Sequence, residues 1–315
     1  MGWFRTSGNV DLSTSIGSVR LKSPVMTAAG TAGHGAELAD YFDLSTLGAV
    51  VVKSLAAYEW DGNKPLRVHQ TASGMINSVG LQGPGIQRWL DEQLPPLIDT
   101  GASVVASIWG RSIEDYKKAA ELLEKAPAEV VAVEVNISCP NTEAGNELFA
   151  HSRDLTTEVI AATRGCGRPR WAKLSPNVGS GLADIAEAAS EAGAEAVTVA
   201  NTFFGLSIDI DARRPHLGRG AGGVSGPAIK PLSIKAVSDV HRRLPDLPIV
   251  GVGGIANGRD AVEYALVGAS AVQVGTATFA DPRACERVQQ QLAGWCDKNG
   301  ISEFEELIGQ AAMDS

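Results

Sequence analysis

Short apolar strands recur along this chain. Each ends on a polar residue or a glycine and is followed by a loop and an amphipathic helix, and this alternation limits the fold more than any other feature. Eight candidate strands stand at Pro24–Ala28, Ala49–Val52, Ser103–Ala106, Val130–Val135, Trp171–Ala172 with its neighbours, Ala196–Ala200, Ile249–Val252 and Ala271–Val274. Four carry the same dipeptide at their start, Gly48-Ala49, Gly101-Ala102, Gly193-Ala194 and Gly268-Ala269. Glycine there fits the left-handed residue that ends a helix just before the next strand begins. Between the strands, Ser112–Lys125, Leu182–Ala192, Ala228–Leu244 and Arg259–Val267 each show one apolar stripe with charges elsewhere. Pro227 suits a first helical turn. Strands buried on both faces that alternate with helices predict an α/β protein, a (β/α)8 TIM barrel before a doubly wound sheet.

Two long connections interrupt the alternation. Residues 54–84 contain TASGMINSVGLQGP, with a hairpin expected around Ser73-Gly74, and residues 201–226 run from NTFFG to GAGGVSG. Connections this long without helices usually carry function. They are expected over the C-terminal face of the barrel, with a helical tail from Asp281 packed outside it. No linker or charge block marks a second domain, so residues 1–315 read as one domain.

A net charge of -9 disfavours nucleic acid and anionic membranes as partners. Cys139, Cys166, Cys285 and Cys296 form no C-x-x-C pair, and the five histidines lack ligand spacing, so no metal site is expected. No apolar stretch approaches the ~20 residues that span a bilayer. The N-terminus lacks a signal-peptide core, so the chain reads as cytoplasmic.

In a barrel, the residue at a strand's C-terminal end faces the active site. In order these ends are Ala29-Gly30, Lys53, Ser107, Asn136, Lys173, Asn201, Gly253-Gly254 and Gly275-Thr276. A lysine is costly to bury unless it meets an anion, so two of them at strand ends predict an anionic or electron-rich ligand. The bland alternative is that each reaches water. The turns GVGGIANG and VGTATF follow the last two strands, where this fold often binds phosphate. Gly222-Gly223 and Gly226 are expected to close the same site. No G-x-G-x-x-G follows a first strand, which leaves a Rossmann site unsupported. In VEVNISCPN, an apolar run from Val130 to Val135 stops at Asn136 and leads to Cys139. That thiol is either a reactive group at the barrel mouth or a small buried residue.

SGMINSVGLQGPG, VEVNISCPN, AKLSPNV, ANT, GGVSGPAIKP, GVGGI and VGTATF, in this order from about Leu21 to Pro282, resemble the dihydroorotate dehydrogenases. The resemblance implies a TIM barrel that holds FMN and oxidises dihydroorotate to orotate in pyrimidine biosynthesis. It also implies that Cys139, a cysteine as in the class 1 members, takes a proton from C5 while a hydride leaves C6 for the flavin. Lys53 matches a lysine that touches flavin and substrate. Asn77, Asn136, Asn201 and Thr202, with the segment Ser78, Val79, Gly80 and Leu81, match the substrate pocket. Ala29, Gly30, Ser54, Ser107, Lys173, Ala200, Gly226, Gly253, Gly254, Gly275 and Thr276, with Lys53 and Asn136, match the FMN site.

The loop NTEAGNELF is nearer class 1B, whose catalytic subunit works with a partner carrying FAD and an iron–sulfur cluster to reach NAD+. A homodimer or heterotetramer is expected on the same ground. There are departures from the family pattern. Ser107 stands where class 1B members often have Asn, Ala29 where a Ser often contacts FMN, and Thr31 where Cys is common. Other readings stay open: a flavin enzyme for another dihydropyrimidine such as uracil or dihydrouridine, a flavin-free lyase or isomerase with a Schiff-base lysine, and a non-catalytic barrel.

Overall fold

All eight expected strands form in the computed structural model, which describes residues 10–138, 140–141 and 147–312. They are β1 (Val25–Thr27), β2 (Val50–Val51), β3 (Val104–Ile108), β4 (Val130–Asn136), β5 (Arg170–Lys173), β6 (Ala196–Val199), β7 (Ile249–Val252) and β8 (Ala271–Val274). They lie side by side in one parallel sheet in chain order, with β8 beside β1. A parallel bridge between Met26 and Ala49 joins β1 to β2, so the sheet closes on itself. Gly48 N–H donates to the Val25 carbonyl at 2.9 Å along this seam. The fold is a (β/α)8 barrel.

The main outer helices are α1 (Ile113–Leu123), α2 (Arg153–Ala162), α3 (Leu182–Glu191), α4 (Lys230–Arg243), α5 (Gly258–Leu266) and α6 (Ala284–Lys298). Ser112 and Ser152 cap α1 and α2 by accepting backbone N–H bonds, and Asn257 with Asp260 forms a capping box on α5. The helix expected from Ala228 starts instead as a 3-10 turn at Pro227–Ile229 and becomes α-helical at Lys230. The tail is helical, as expected.

Three of the four Gly-Ala dipeptides do what the sequence suggests. Gly101, Gly193 and Gly268 adopt φ of 75°, 98° and 109°. Behind α5, Gly268 N–H bonds to Ala265 O and Ala269 N–H to Tyr264 O, the paired bonds of a Schellman end. Gly48 differs. Its φ is not positive, and a Cβ there would lie 2.1 Å from the Ser23 carbonyl oxygen, so close approach at the barrel seam is what requires glycine.

Side chains alternate between the barrel interior and the helix layer with the period of two of a strand. The lowest interior layer is apolar. Met26, Val51, Val105, Ala132, Trp171 and Ala271 pack with Ile16, Val19 and Leu21 of an N-terminal hairpin, Thr14–Ile16 with Val19–Leu21. One step up come Ser107, Glu134, Lys173, Thr198 and Gln273, all buried. One step further stand Lys53, Asn136 and Gly275, at the mouth.

The two long connections combine over that mouth. The expected hairpin forms from Val68–Thr71 and Gly74–Asn77, turning at Ala72-Ser73. Gly222–Ser225 pairs with its second strand, and Phe203–Gly205 pairs with Gly222–Ser225, giving one antiparallel sheet from both insertions. Gly222-Gly223 therefore serves as a strand here, not as a phosphate turn. His69 and His216 stack across the two insertions at 3.7 Å. Arg219 also donates to Asn63 Oδ1 at 3.1 Å.

Gly268→Ala should destabilise the protein by about 2 kcal/mol or more. The new Cβ would sit 2.1 Å from His241 Cγ on a φ of 109°. Urea denaturation reads the loss, and an unchanged midpoint would show that this helix end tolerates a side chain.

Candidate active site

A cavity of ≈ 250 Å³ opens at the C-terminal ends of the strands, under the sheet built from the insertions. It gathers most of the residues singled out from the sequence. Ala29, Gly30, Lys53, Ser54, Asn77, Val79, Gly80, Leu81, Asn136, Lys173, Ala200, Asn201, Thr202, Gly226, Gly253, Gly254, Gly275 and Thr276 all line it. Two expected residues do not reach its wall. Ser78 sits behind it, and Ser107 lies one layer below, fully buried, with its Oγ 2.9 Å from Ser54 Oγ and 3.3 Å from Glu134 Oε1. Serine is too short at this depth to reach the cavity directly, so Ser107 meets it through Ser54. Cys139 lies outside the described residues. The chain leading to it leaves the end of β4, with Ser138 N–H bonded to Asn136 Oδ1 at 3.2 Å.

The cavity floor rests on a buried charge that the sequence reading passed over. Glu134 is 0% exposed, within what looked like a continuous apolar run. Its Oε1 lies 3.5 Å from Lys173 Nζ, and its Oε2 accepts from Gln273 Nε2 at 2.7 Å and Thr198 Oγ1 at 3.1 Å. Lys173 Nζ also donates to Gln273 Oε1 at 3.4 Å. A buried ion pair is tolerable only when its remaining polar valences are filled, and Ser107, Thr198 and Gln273 from three other barrel strands fill them here. Its signal in the sequence was the lone acid two residues before Asn136, hence on the same face of the strand.

Above this layer the amides interlock. Asn136 Oδ1 accepts from Asn201 Nδ2 at 3.3 Å, and Tyr116 O–H donates to the Asn136 carbonyl at 2.6 Å. Asn201 Oδ1 accepts Thr202 N–H at 2.8 Å, and Asn177 Nδ2 donates to the Thr202 carbonyl at 3.1 Å. Asn77 reaches the wall from the hairpin and donates to Gly223 O at 3.3 Å. The three cavity amides therefore come from two barrel strands and an insertion, and each is held by a neighbour.

Lys53 has no carboxylate partner among the described residues. Burial, and then the positive charge of Arg67, hold its pKa below the usual 10.5. Burial and the Lys53 charge also push the His34 imidazole down to about 4, so it adds no charge at neutral pH. An ammonium with a second cation nearby and no counter-ion is poised for an anion.

The wall segment 78–81 completes that arrangement. The carbonyls of Ser78, Val79 and Gly80 all point outward, to Asn63 Nδ2 at 2.9 Å, Asn63 N–H at 3.0 Å and Trp60 Nε1 at 2.9 Å. In a trans peptide the carbonyl and the next residue's N–H point in opposite directions. The N–H groups of Val79, Gly80 and Leu81 are therefore turned toward the cavity. Gly80 and Leu81 have φ of 76° and 63°, and such turns form anion-binding nests. No sequence motif marked Trp60 or Asn63.

At the other side, Gly226, Gly253 and Gly254 all have positive φ, and a Cβ at Gly254 would lie 2.9 Å from Gly226 O. Only glycines let these turns pack together with bare backbone on the cavity. Thr276 Oγ1 donates to Ser225 Oγ at 2.8 Å beside them. A Cβ on Gly30 would meet nothing within 4 Å, which leaves open space against that part of the wall. Bare backbone for a phosphate, apolar Ala28, Val252 and Ile229, and a lysine on the floor fit a flavin mononucleotide.

The chain matches the family model described as dihydroorotate dehydrogenase over residues 11–295. A relative from Geotalea uraniireducens, the catalytic subunit of dihydroorotate dehydrogenase B (NAD(+)), is 42% identical over 303 residues, 96% of this chain and 98% of its own length. A Bacteroides thetaiotaomicron relative of the same name is 39% identical over 95% of this chain and 98% of its own length. A Solibacter usitatus chain, assigned provisionally to the fumarate-linked A type, is 43% identical over 95% of this chain and 97% of its own length.

Glu134→Gln should cost about 3–5 kcal/mol of stability by leaving the Lys173 ammonium buried without its counter-charge. Glu134→Gln combined with Lys173→Met should recover most of it. Urea denaturation of the flavin-free variants checks both, and equal stability of Glu134→Gln and the parent would remove the pair from the core's energetics.

Proposed function

The chain belongs to the dihydroorotate dehydrogenase family, and on that premise we propose how it oxidises dihydroorotate to orotate with FMN. One observation carries the division of labour: a partly buried lysine with no carboxylate partner among the described residues lines the same cavity as Val79, Gly80, Leu81 and three amides. A six-membered ring of alternating C=O and N–H groups with one carboxylate has that complementary pattern. Lys53 and the N–H groups of Val79, Gly80 and Leu81 take the carboxylate. Asn77, Asn136, Asn201 and Thr202 take the ring, their amides supplying both donors and acceptors.

When bound, FMN supplies the acceptor for the hydride that leaves C6. Gly226, Gly253, Gly254, Gly275 and Thr276 hold its phosphate end, with Ala29, Gly30, Ser54, Lys173 and Ala200 along the rest. Ser107 acts only through Ser54. Cys139 is the base that takes the C5 proton. Its position in the sequence, three residues after the Asn136 that ends β4, supports this role. Lys53, kept charged by the bound carboxylate, also stabilises negative charge that develops during the reaction. A base role for a thiol requires its thiolate, and a nearby ammonium favours that form.

The whole chain acts as a single FMN-binding domain, since both insertions fold back onto the barrel that bears them. Its relatives are named as a catalytic subunit, which implies a second subunit in those proteins. For this chain, an FAD- and iron–sulfur-carrying partner that passes electrons to NAD+ is the corresponding reading, in a homodimer or heterotetramer. No helix among the described residues is long and apolar enough to cross a membrane. Cys166, Cys285 and Cys296 are free thiols, which suits a cytoplasmic location.

The enzyme should bleach its flavin when dihydroorotate is added without oxygen. Reoxidation by NAD+ with the partner, by fumarate, by quinone or by oxygen then identifies the acceptor. A flavin that stays oxidised would overturn the substrate. Cys139→Ala should keep FMN and slow bleaching by about 10²–10⁴-fold, and an unchanged rate would remove Cys139 as base.

Orotate affinity should also depend on pH. Carboxylate binding needs the Lys53 ammonium, so affinity is full below the Lys53 pKa of the free enzyme. Above it, affinity falls about tenfold per pH unit. Because that pKa lies below 10.5, the fall begins earlier than for an ordinary lysine. Flavin spectral titrations up to about pH 10 read it, and Lys53→Met should flatten the profile.

A further inference from the structure

Resting on that reading of segment 78–81 as the carboxylate site, we propose that Trp60 and Asn63 are positioning residues that set it from behind. Neither side chain lines the cavity. Between them they bind three consecutive carbonyls of its wall, Ser78, Val79 and Gly80. Each bond fixes the plane of one peptide, and with it the direction of the N–H on the cavity side. Without these bonds the peptides could rotate and present carbonyl oxygens, which repel a carboxylate. The backbone strand of the clamp is also anchored, because Trp60 and Gly83 exchange N–H···O bonds at 2.9 Å.

The two loops fit only because of two glycines. A Cβ on Gly62 would lie 2.5 Å from Val79 O, and one on Gly80 would lie 2.5 Å from Asn63 Cγ. Glycine at 80 thus serves both the turn and the approach of the clamp. Trp60 is itself immobilised. Its ring meets Trp109 at 6.1 Å and Tyr58 at 6.3 Å, both edge-on, and the Arg111 guanidinium lies 5.1 Å from its centroid. Asn63 is held from the second insertion by Arg219. The clamp therefore makes carboxylate recognition depend on the two insertions being assembled.

Trp60→Phe keeps an aromatic ring in the cluster while removing the N–H donor together with the second ring of the indole, and Asn63→Asp removes the donor to Ser78 O at nearly constant shape. On the FMN-loaded enzyme each should raise the orotate Kd and the dihydroorotate KM about five- to tenfold. The rate of flavin reduction at saturating dihydroorotate should stay within about twofold, and FMN content and melting temperature should hold. A purely structural role would instead lower FMN content, melting temperature and reduction rate together. Unchanged Kd and KM in both variants, or loss of FMN and rate with Kd unchanged, overturns the proposal. Failure of the parent enzyme to be reduced by dihydroorotate is a separate result, since it overturns the substrate reading whatever the variants do.

Discussion

The Glu134–Lys173 pair inside the barrel is the interaction on which the site is built. It separates two halves of the barrel with opposite requirements. Below it, the strands and the N-terminal hairpin pack as an ordinary apolar core. Above it, amides, lysines and bare backbone line a cavity together with apolar side chains. A charged group at this depth would be prohibitively costly alone. Gln273 and Thr198 fill the remaining valences of the carboxylate, and Gln273 also accepts from the ammonium, so the layer acts as one cross-braced unit across β4, β5, β6 and β8. Lys173 can then present a cation at the cavity floor in a defined position, because its tether is as buried as it is.

The lysine at the mouth works by the opposite principle. Lys53 is left without a carboxylate beside it, and Arg67 adds a like charge. That arrangement is unfavourable in the empty cavity and is relieved by an anionic ligand. One cation is thus satisfied and held still by the protein, while the other has no carboxylate beside it among the described residues. Two lysines at equivalent strand ends look alike in the sequence, and only the three-dimensional neighbours distinguish them.

Much of the barrel was legible in the sequence because its determinants are local. The bounds of β7 and β8 coincide with the apolar runs Ile249–Val252 and Ala271–Val274, and polar strand ends do face one cavity. Glycines at helix ends were readable for the same reason, since a left-handed residue before a strand is a local requirement. Gly48 was misread because its constraint is a carbonyl from another strand. Glu134 was overlooked because hydrophobic periodicity averages over a run, and one acid in six residues barely changes it. Ser107 reads as a strand end because it closes an apolar run, and the family resemblance puts it at the FMN site, whereas β3 continues to Ile108 and leaves the serine one layer down. Of the sheet over the mouth, only the hairpin of residues 68–77 was legible. Gly223 pairs with Asn77 across 146 positions, and no local pattern in either insertion records its partner.

That non-local sheet gives the cavity two kinds of wall, one carried by barrel strands and one by the insertions. Barrel strands are fixed by their ladders and packing, so groups at their ends, such as Asn136, Asn201 and Lys173, keep their positions whether or not a ligand is present. The insertions are fixed mainly by each other, through the Gly223–Asn77 pairing, the His69–His216 stack and the Arg219–Asn63 bond. A site that must admit and release a small molecule at every turnover benefits from a wall with fewer anchors than its floor. The N–H row of Val79, Gly80 and Leu81 belongs to that wall, and its donors are useful only while the peptide planes stay turned inward. The peptide planes of that wall are therefore set by residues of the assembled cover, Trp60 and Asn63, and not by the barrel strands.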